Sequence, residues 1–548
     1  YLEPACRAKW FSNFGTVVRQ LETELTRGMY HPDEVIITAS NCTAGISAAA
    51  NPVLIRARSR FAVYSRAAVL QSFRCGMKKF LHVLALCLFG FAASAATRPN
   101  ILFIVADDLS WHSTGFMGDP VVKTPNLDRL ATNGVVFTHA AVTTSICMVS
   151  RASMLTGRYL SQMGGARVTP QTWPDTWPAR LHAAGYYGGH IGKVHVQGQD
   201  ASGYDFWAGR YGAYHWIKDE SGHRIHSLQK DTDEALRFLK TRPKDKPFFL
   251  QVAYTVPHAE DNDPQQYLPM PQEEKLYIDD IVPVPKTANN DYWMKLPPFF
   301  RDQPNEGRKR WAWRFDTPEK YQVYTKNYYR LISGMDRSIG TIVNALQADG
   351  SAESTIIVFI GDNGYFLGEH GLADKWYAYE ESVRVPLVVY DPRLAPKHRA
   401  KRCDDWVLNV DLAPTFCTWA GIEPSKSMQG RDFSPLLHGE TPADWRTDFL
   451  YQFKWSSEII PASEGVCSKD WKYVRWVVSN TEELFDLKND PIEGHNVAGD
   501  PAHATDLAHS RARLATLRKE VGGATIEQLK NMPYGDPQSG SKNKVSEE

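Results

Sequence analysis

Two stretches constrain this chain more than any others. "NILFIVADD" (Asn100 to Asp108) and "TIIVFIGDNG" (Thr355 to Gly364) are continuous apolar runs that end in side-chain oxygens. A run with no polar alternation is buried on both faces, the pattern of a strand inside a parallel sheet. "PFFLQVAYTVPH" (Pro247 to His258) and "VPLVVYDP" (Val385 to Pro392) read the same way. Helical patterns lie between the runs at Thr124 to Gly134, Asp175 to Gly185, Asp231 to Thr241 and Tyr328 to Gly350, several of them closing on Gly. Strands alternating with helices predict an α/β fold with a mainly parallel central sheet flanked by helices. Ligands of such sheets gather at the C-terminal ends of the strands, which is where the acids fall.

At 548 residues the chain exceeds a single core of about 250–300 residues, so more than one domain is expected. Residues 96–423 carry the α/β pattern. Within them, 262–320 is rich in Pro and aromatics and reads as a binding loop or mobile segment. From 424 to 535 the pattern changes to short polar-flanked strands such as "DFLYQFKW" and "WKYVRWVV", followed by an Ala-rich helical stretch. This predicts a smaller C-terminal α+β domain carrying an antiparallel sheet. Residues 536–548 have the composition of a disordered tail.

Lys plus Arg and Asp plus Glu both number 62, so no global charge favours nucleic acid or an anionic membrane as partner. "MKKFLHVLALCLFGFAASA" (Met77 to Ala95) has two lysines, an apolar run and a small-residue cleavage pattern, the form of a secretory signal peptide. The run is short for a membrane span, so export to the periplasm or medium is expected, without stable membrane insertion. Residues 1–76 then read as an upstream extension outside the native protein; the alternative is a small extra domain with a buried helix at 78–95. Cleavage after Ala95 leaves Cys147, Cys403, Cys417 and Cys467, whose pairing the sequence does not determine.

Asp107, Asp108, Asp362 and Asn363 are hard oxygen donors at two strand ends and suit Ca²⁺ or Mg²⁺. One such pair alone would read as a cap or turn; two pairs packed together need a cation to balance them. A basic set follows other expected strands: Lys193 and His195, His258, and His370 with Lys375. With Arg151 they would form a pocket for a tetrahedral oxyanion, sulfate or phosphate. In "TTSICMVSRASMLTGRY" a cysteine, Cys147, stands beside a helix start and ahead of Ser150, Arg151, Thr156 and Gly157.

These residues carry a resemblance. The chain resembles the type I, formylglycine-dependent sulfatases of the alkaline phosphatase-like superfamily, whose signature is Cys-x-(Pro/Ala)-Ser-Arg followed by Thr-Gly. Similar motifs run in order through most of residues 100–498, down to "ELFDLKNDPIEGHNVA". The resemblance implies that Cys147 is oxidised to formylglycine by a formylglycine-generating enzyme. One hydroxyl of its hydrate attacks sulfur and the second collapses to release sulfate, which is covalent catalysis in two steps. It further implies Asp107, Asp108, Asp362, Asn363 and the modified Cys147 as metal ligands, and Arg151 as the group holding the hydrate and the carboxylates. Lys193 and Lys375 would bind sulfate, His195 would act as base and His258 as acid toward the leaving alkoxide. His370 matches less well and is expected at the rim. Val149 departs from the signature where Pro or Ala is usual, which bears on how efficiently Cys147 is converted.

The leading expectation is therefore an exported sulfatase acting on a sulfated carbohydrate in polysaccharide breakdown. A phosphodiesterase or phosphonate monoester hydrolase of the same superfamily is the alternative enzyme. An unmodified Cys147 would leave a non-catalytic sulfoglycan-binding protein.

Overall fold

Strand β1, Asn100–Asp107, is buried along its whole length and sits in the middle of an eight-stranded sheet. In the computed structural model, residues 98–164, 166–454 and 459–532 are described. The extension 1–76, the signal-like segment 77–95 and the tail 536–548 lie outside the described residues.

The other strands of the sheet are β2 (Val135–Phe137), β3 (Tyr187–Lys193), β4 (Phe206–Arg210), β5 (Phe248–Pro257), β6 (Thr355–Gly361), β7 (Leu387–Tyr390) and β8 (Lys401–Cys403). They run in the order β8-β2-β7-β6-β1-β5-β3-β4. β1 pairs in parallel with both β5 and β6, and β3 is parallel to β4 and β5. β7 alone runs antiparallel to its neighbours β2 and β6. The α/β architecture expected from the alternating runs is the one observed.

Register explains why distant sequence segments share one site. Ala106 pairs with Gly361, and the Asp362 amide donates to the Ala106 carbonyl at 2.9 Å, so Asp107 and Asp362 leave the sheet side by side. A register shift between Val105 and Asp107 places Asp107 opposite Pro257, and His258 follows directly. Gly192 pairs with Ala253, which brings Lys193 to the same edge.

β3 is the strand expected ahead of His195, and it contains Lys193 itself; it shows no continuous apolar run because three of its seven residues are glycine. Packing requires them. A Cβ on Gly188 would stand 2.2 Å from the Phe249 ring, and one on Gly189 would stand 2.6 Å from Phe238.

Helix α1 (Pro125–Asn133) begins with Pro, whose missing N–H costs nothing at that position. Helix α2, Cys147–Thr156, ends on Gly157 in the left-handed region. Helix α3 spans Ser227–Thr241. The segment 262–320 is mostly turns, with short helices at Asn290–Lys295 and Phe299–Asp302 and a longer one, α4, at Glu306–Arg314. Helix α5, Pro318–Ala348, starts ten residues earlier than the apolar period predicts. Thr317 caps it, its side chain accepting from the Lys320 amide, and Pro318 opens its first turn.

The C-terminal region carries a four-stranded antiparallel sheet, β9 (Asp448–Phe453), β10 (Ser463–Ser468), β11 (Trp471–Trp476) and β12 (Thr481–Asp486), with helix α6 at Ala504–Glu520. Phe449, Tyr451, Tyr473 and Leu514 belong to the same apolar cluster as Ile146, Cys147 and Val149. The Gln452 carbonyl accepts from the Thr144 hydroxyl at 2.7 Å, which ties β9 to the loop entering α2. Cys147, Cys403, Cys417 and Cys467 are all unbridged. No helix among the described residues is long and apolar enough to cross a membrane.

Candidate active site

The ends of β1 and β6 form a carboxylate cradle. Asp107, Asp108, Asp362 and Asn363 are at most 1% exposed. The Asp108 amide donates to Asp362 Oδ1 at 3.1 Å, and Asn363 Nδ2 donates to Asp108 Oδ1 at 2.9 Å. Asp108 sits at φ 60, a conformation that Tyr328 supports. The Tyr328 hydroxyl donates to the Asp108 carbonyl at 2.8 Å and accepts from the Ser110 amide at 2.9 Å.

Cys147 is the first residue of α2, at the positive end of the helix dipole, where the first-turn amides have no intrahelical acceptor. Burial pushes its thiol up to about 11, despite the nearby Lys193 and Lys375. A thiol held neutral is a poor nucleophile. One turn further on, Arg151 donates from Nε to Asp362 Oδ2 at 2.7 Å and lies 3.9 Å from Asp107 Oδ1. Val149 is fully buried at the third helical position, where the backbone amide has no intrahelical acceptor.

Lys193 Nζ pairs with Asp107, and Lys375 Nζ contacts both Asp108 oxygens at 2.5 Å. Burial would raise Asp107, but Lys193, His258, Arg151 and Lys375 together hold it well below the usual carboxylate range. Asp362 goes the other way, pushed up by burial and by the Asp107 charge. Three carboxylates thus face three cationic side chains. The buried oxygens Asp107 Oδ1 and Asn363 Oδ1 have no hydrogen-bond partner among the described residues. Hard donors with unused lone pairs fit a Ca²⁺- or Mg²⁺-sized cation.

His195 and His258 are half-buried at the mouth of the cradle. Burial, then the Lys193 charge, holds His195 well below the ordinary imidazole value, so it stands as a neutral base. His258 Nδ1 lies 2.6 Å from the Ala259 carbonyl, which assigns the proton to Nδ1 and turns Nε2 toward Asp108 Oδ2 at 3.5 Å. Burial lowers His258 as well, against the pull of Asp108. Both histidines, Cys147, Lys375, Arg310 and Trp376 line one cavity of about 280 Å³.

Asp107, Asp108, Cys147, Arg151, Lys193, His195, His258, Asp362, Asn363 and Lys375 fall in this one place. His370 does not. It is buried 4.9 Å from the Tyr379 ring and 3.8 Å from Glu381, in a separate group with Glu493, and does not line the cavity. Residues the motifs did not flag also hold the site. Asn409 Nδ2 donates to the Ser150 hydroxyl at 2.9 Å and its Oδ1 accepts from the Thr143 amide at 3.2 Å, clamping both sides of Cys147. Tyr328 is another, hidden because a tyrosine in an apolar helix stripe reads as core.

A family model described as Sulfatase matches residues 99–422 of the chain. One described as N-sulphoglucosamine sulphohydrolase, C-terminal, matches residues 368–520. An N-acetylglucosamine-6-O-sulfatase of Bacteroides thetaiotaomicron is 29% identical, covering 80% of this chain and 88% of its own. An arylsulfatase of Clostridium perfringens is 27% identical, covering 78% and 95%. Among solved structures, a protein in complex with its substrate D-glucosamine-2-N,6-O-disulfate aligns with a TM-score of 0.66 at 25% identity, over 79% of this chain and 100% of that one. A phosphonate monoester hydrolase of Agrobacterium radiobacter shares the fold, with a TM-score of 0.64 at 22% identity over 77% and 96%. The chain belongs to the sulfatase family and is a sulfuric ester hydrolase.

Proposed function

We propose that the protein removes sulfate from a sulfated carbohydrate, using a formylglycine made from Cys147 beside a bound divalent cation. The observation that carries this reading is the position of Cys147. Its side chain stands at a helix N-terminus, beside a cradle in which Asp107 Oδ1 and Asn363 Oδ1 have no hydrogen-bond partner among the described residues, and within the field of Lys193 and Lys375. The N-acetylglucosamine-6-O-sulfatase relative supports a sugar as the substrate.

Asp107, Asp108, Asp362 and Asn363 would hold the cation, which would supply positive charge to sulfate oxygens and to the attacking hydroxyl. The aldehyde hydrate supplies one hydroxyl to attack sulfur and a second whose deprotonation releases sulfate. Lys193 and Lys375 bind the sulfate oxygens, exchanging part of their contact with Asp107 and Asp108 for the substrate. Arg151 aligns Asp107 and Asp362. His195, neutral, takes the proton of the second hydroxyl. His258, when protonated at Nε2 as well as Nδ1, gives the Nε2 proton to the leaving sugar oxygen, Asp108 offsetting part of the burial that favours the neutral ring.

The same reading has the protein exported to the periplasm or medium, with Met77–Ala95 as the signal. A formylglycine-generating enzyme acts before the loop at Cys147 closes, since the residue is 4% exposed in the fold. The test is sulfate release. Purified protein from a host that makes formylglycine is expected to hydrolyse an aryl sulfate and a sulfated hexose, and to leave a phosphodiester at a far lower rate. Faster hydrolysis of the phosphodiester would overturn the assignment.

A further inference from the structure

We propose that Asp261, Glu306, Arg310 and Trp376 form the sugar-recognition wall of the cavity, and that this wall selects a sugar unit whose single anionic group is the sulfate being removed. The proposal rests on the sulfatase reading and adds to it the class of sugar. All four residues line the cavity that holds Cys147, His195, His258 and Lys375.

The wall is a charged network in which two carboxylates, Asp261 and Glu306, and one guanidinium, Arg310, line the cavity. Arg310 pairs with Asp374, with Asp261 at 2.9 Å and with Glu306 Oε1 at 2.8 Å. Arg314, fully buried, pairs with Asp374 at 2.5 Å and Asp261 at 3.0 Å. Three carboxylates therefore share two guanidinium groups. Glu306 Oε2 lies 3.5 Å from the Lys309 ammonium. That oxygen is an acceptor for a sugar hydroxyl or amide N–H. The contrast with the inner end of the cavity is sharp, since there Lys193 and Lys375 gather around the sulfate position. A second sulfate or a carboxylate on the same sugar would lie against Asp261 and Glu306, like charge on like charge.

The wall is also rigid. The Asn305 side chain caps α4, accepting from the Arg308 amide at 2.9 Å. The Tyr377 hydroxyl donates to Asn305 Oδ1 at 2.8 Å and accepts from the Gly307 amide at 3.0 Å. Gly307 permits this approach, since a Cβ there would stand 2.6 Å from the Tyr377 ring. Trp376 holds φ 89, a left-handed conformation that is costly for a tryptophan, and its carbonyl accepts from the Tyr451 hydroxyl at 3.0 Å. The Arg310 guanidinium lies over its ring, 5.2 Å from the centroid. Strain held by surrounding contacts in a cavity wall is the mark of a preorganised contact surface.

The experiment compares kcat/KM for matched pairs of sulfated hexoses, one member carrying a single ester sulfate and the other an additional sulfate or carboxylate on the same ring. An aryl sulfate serves as the reference substrate. In the pair whose monosulfated member is turned over, that member is expected to be favoured by about tenfold or more. The preference should fall several-fold in both Asp261→Asn and Glu306→Gln. It is a ratio within one preparation, so it does not depend on how much of a variant is folded. Equal or faster turnover of the doubly charged member, or a ratio unchanged in both variants, would overturn the proposal. So would turnover of the aryl sulfate with no hexose accepted, which leaves the sulfatase reading standing. No turnover of any sulfate ester by the formylglycine-containing protein would overturn both.

Discussion

Arg151 donates from Nε to Asp362 Oδ2 at 2.7 Å, joining the second turn of α2 to the end of β6. The same guanidinium reaches toward Asp107 at 3.9 Å, so one side chain spans the acids that leave two adjacent strands. A lysine ammonium is a single point charge and cannot serve both carboxylates. Arg151→Lys is therefore expected to weaken calcium binding by about 10–100-fold, as loss of a partner to ligating carboxylates does. Isothermal titration calorimetry checks this, and unchanged affinity would remove Arg151 from the account of the cradle.

Removing the cation has two expected readouts. Dialysis against a chelator abolishes sulfate release, and it lowers the melting temperature because a ligand bound only by the folded chain stabilises it, by about 2.7 kcal/mol at a hundred times Kd. Calcium or magnesium restores both. Full activity in protein shown metal-free by elemental analysis would contradict the cradle's role.

His258→Ala is expected to slow sulfated sugars far more than activated aryl sulfates. A sugar alkoxide needs its proton in the transition state, whereas a stabilised phenolate hardly does; general acid catalysis contributes about 10²–10⁴-fold. Steady-state kinetics on both substrate types measure the split. Equal losses would mean that His258 binds sulfate instead.

The central strands and the acids at their ends were legible because burial on both faces writes an unbroken apolar run. The helix at Pro318–Ala348 and the antiparallel sheet were legible in kind but not in extent. β10, "SEGVCS", has no apolar alternation and is a strand only because β9 and β11 pair with it on either side. β3 carries no apolar run, because neighbouring aromatic rings require its glycines, and Lys193 proved to lie in the strand and not in the loop after it. His370 illustrates the reverse error. Its place after Asp362-Asn363 suggested the rim, but a left-handed backbone at φ 56 turns the chain, and the ring packs against Tyr379. Asn409 and Tyr328 act through tertiary hydrogen bonds, which leave no local pattern.

His190 is 1% exposed, stacks on Trp207 at 4.8 Å, and is held down to about 3 by burial. Its ordinary value is 6.5, so below that pH the unfolded chain takes up a proton that the folded chain refuses. The contribution to stability is complete above pH 6.5 and is lost as pH falls toward 3. Relative to His190→Gln, the native protein should lose about 1.4 kcal/mol per pH unit across that window. Urea unfolding at pH 7 and pH 5 measures the difference, and a pH-independent gap would show that the imidazole is not held neutral.

The most direct test of the whole account is mass spectrometry of the peptide containing Cys147, taken from preparations that differ in extent of conversion and assayed in parallel for sulfate release. The account predicts a side chain in which oxygen replaces sulfur with loss of two hydrogens, activity proportional to the converted fraction, and no turnover in a folded Cys147→Ala protein. Multiple turnover by Cys147→Ala, or an entirely unmodified thiol in the active protein, would contradict it.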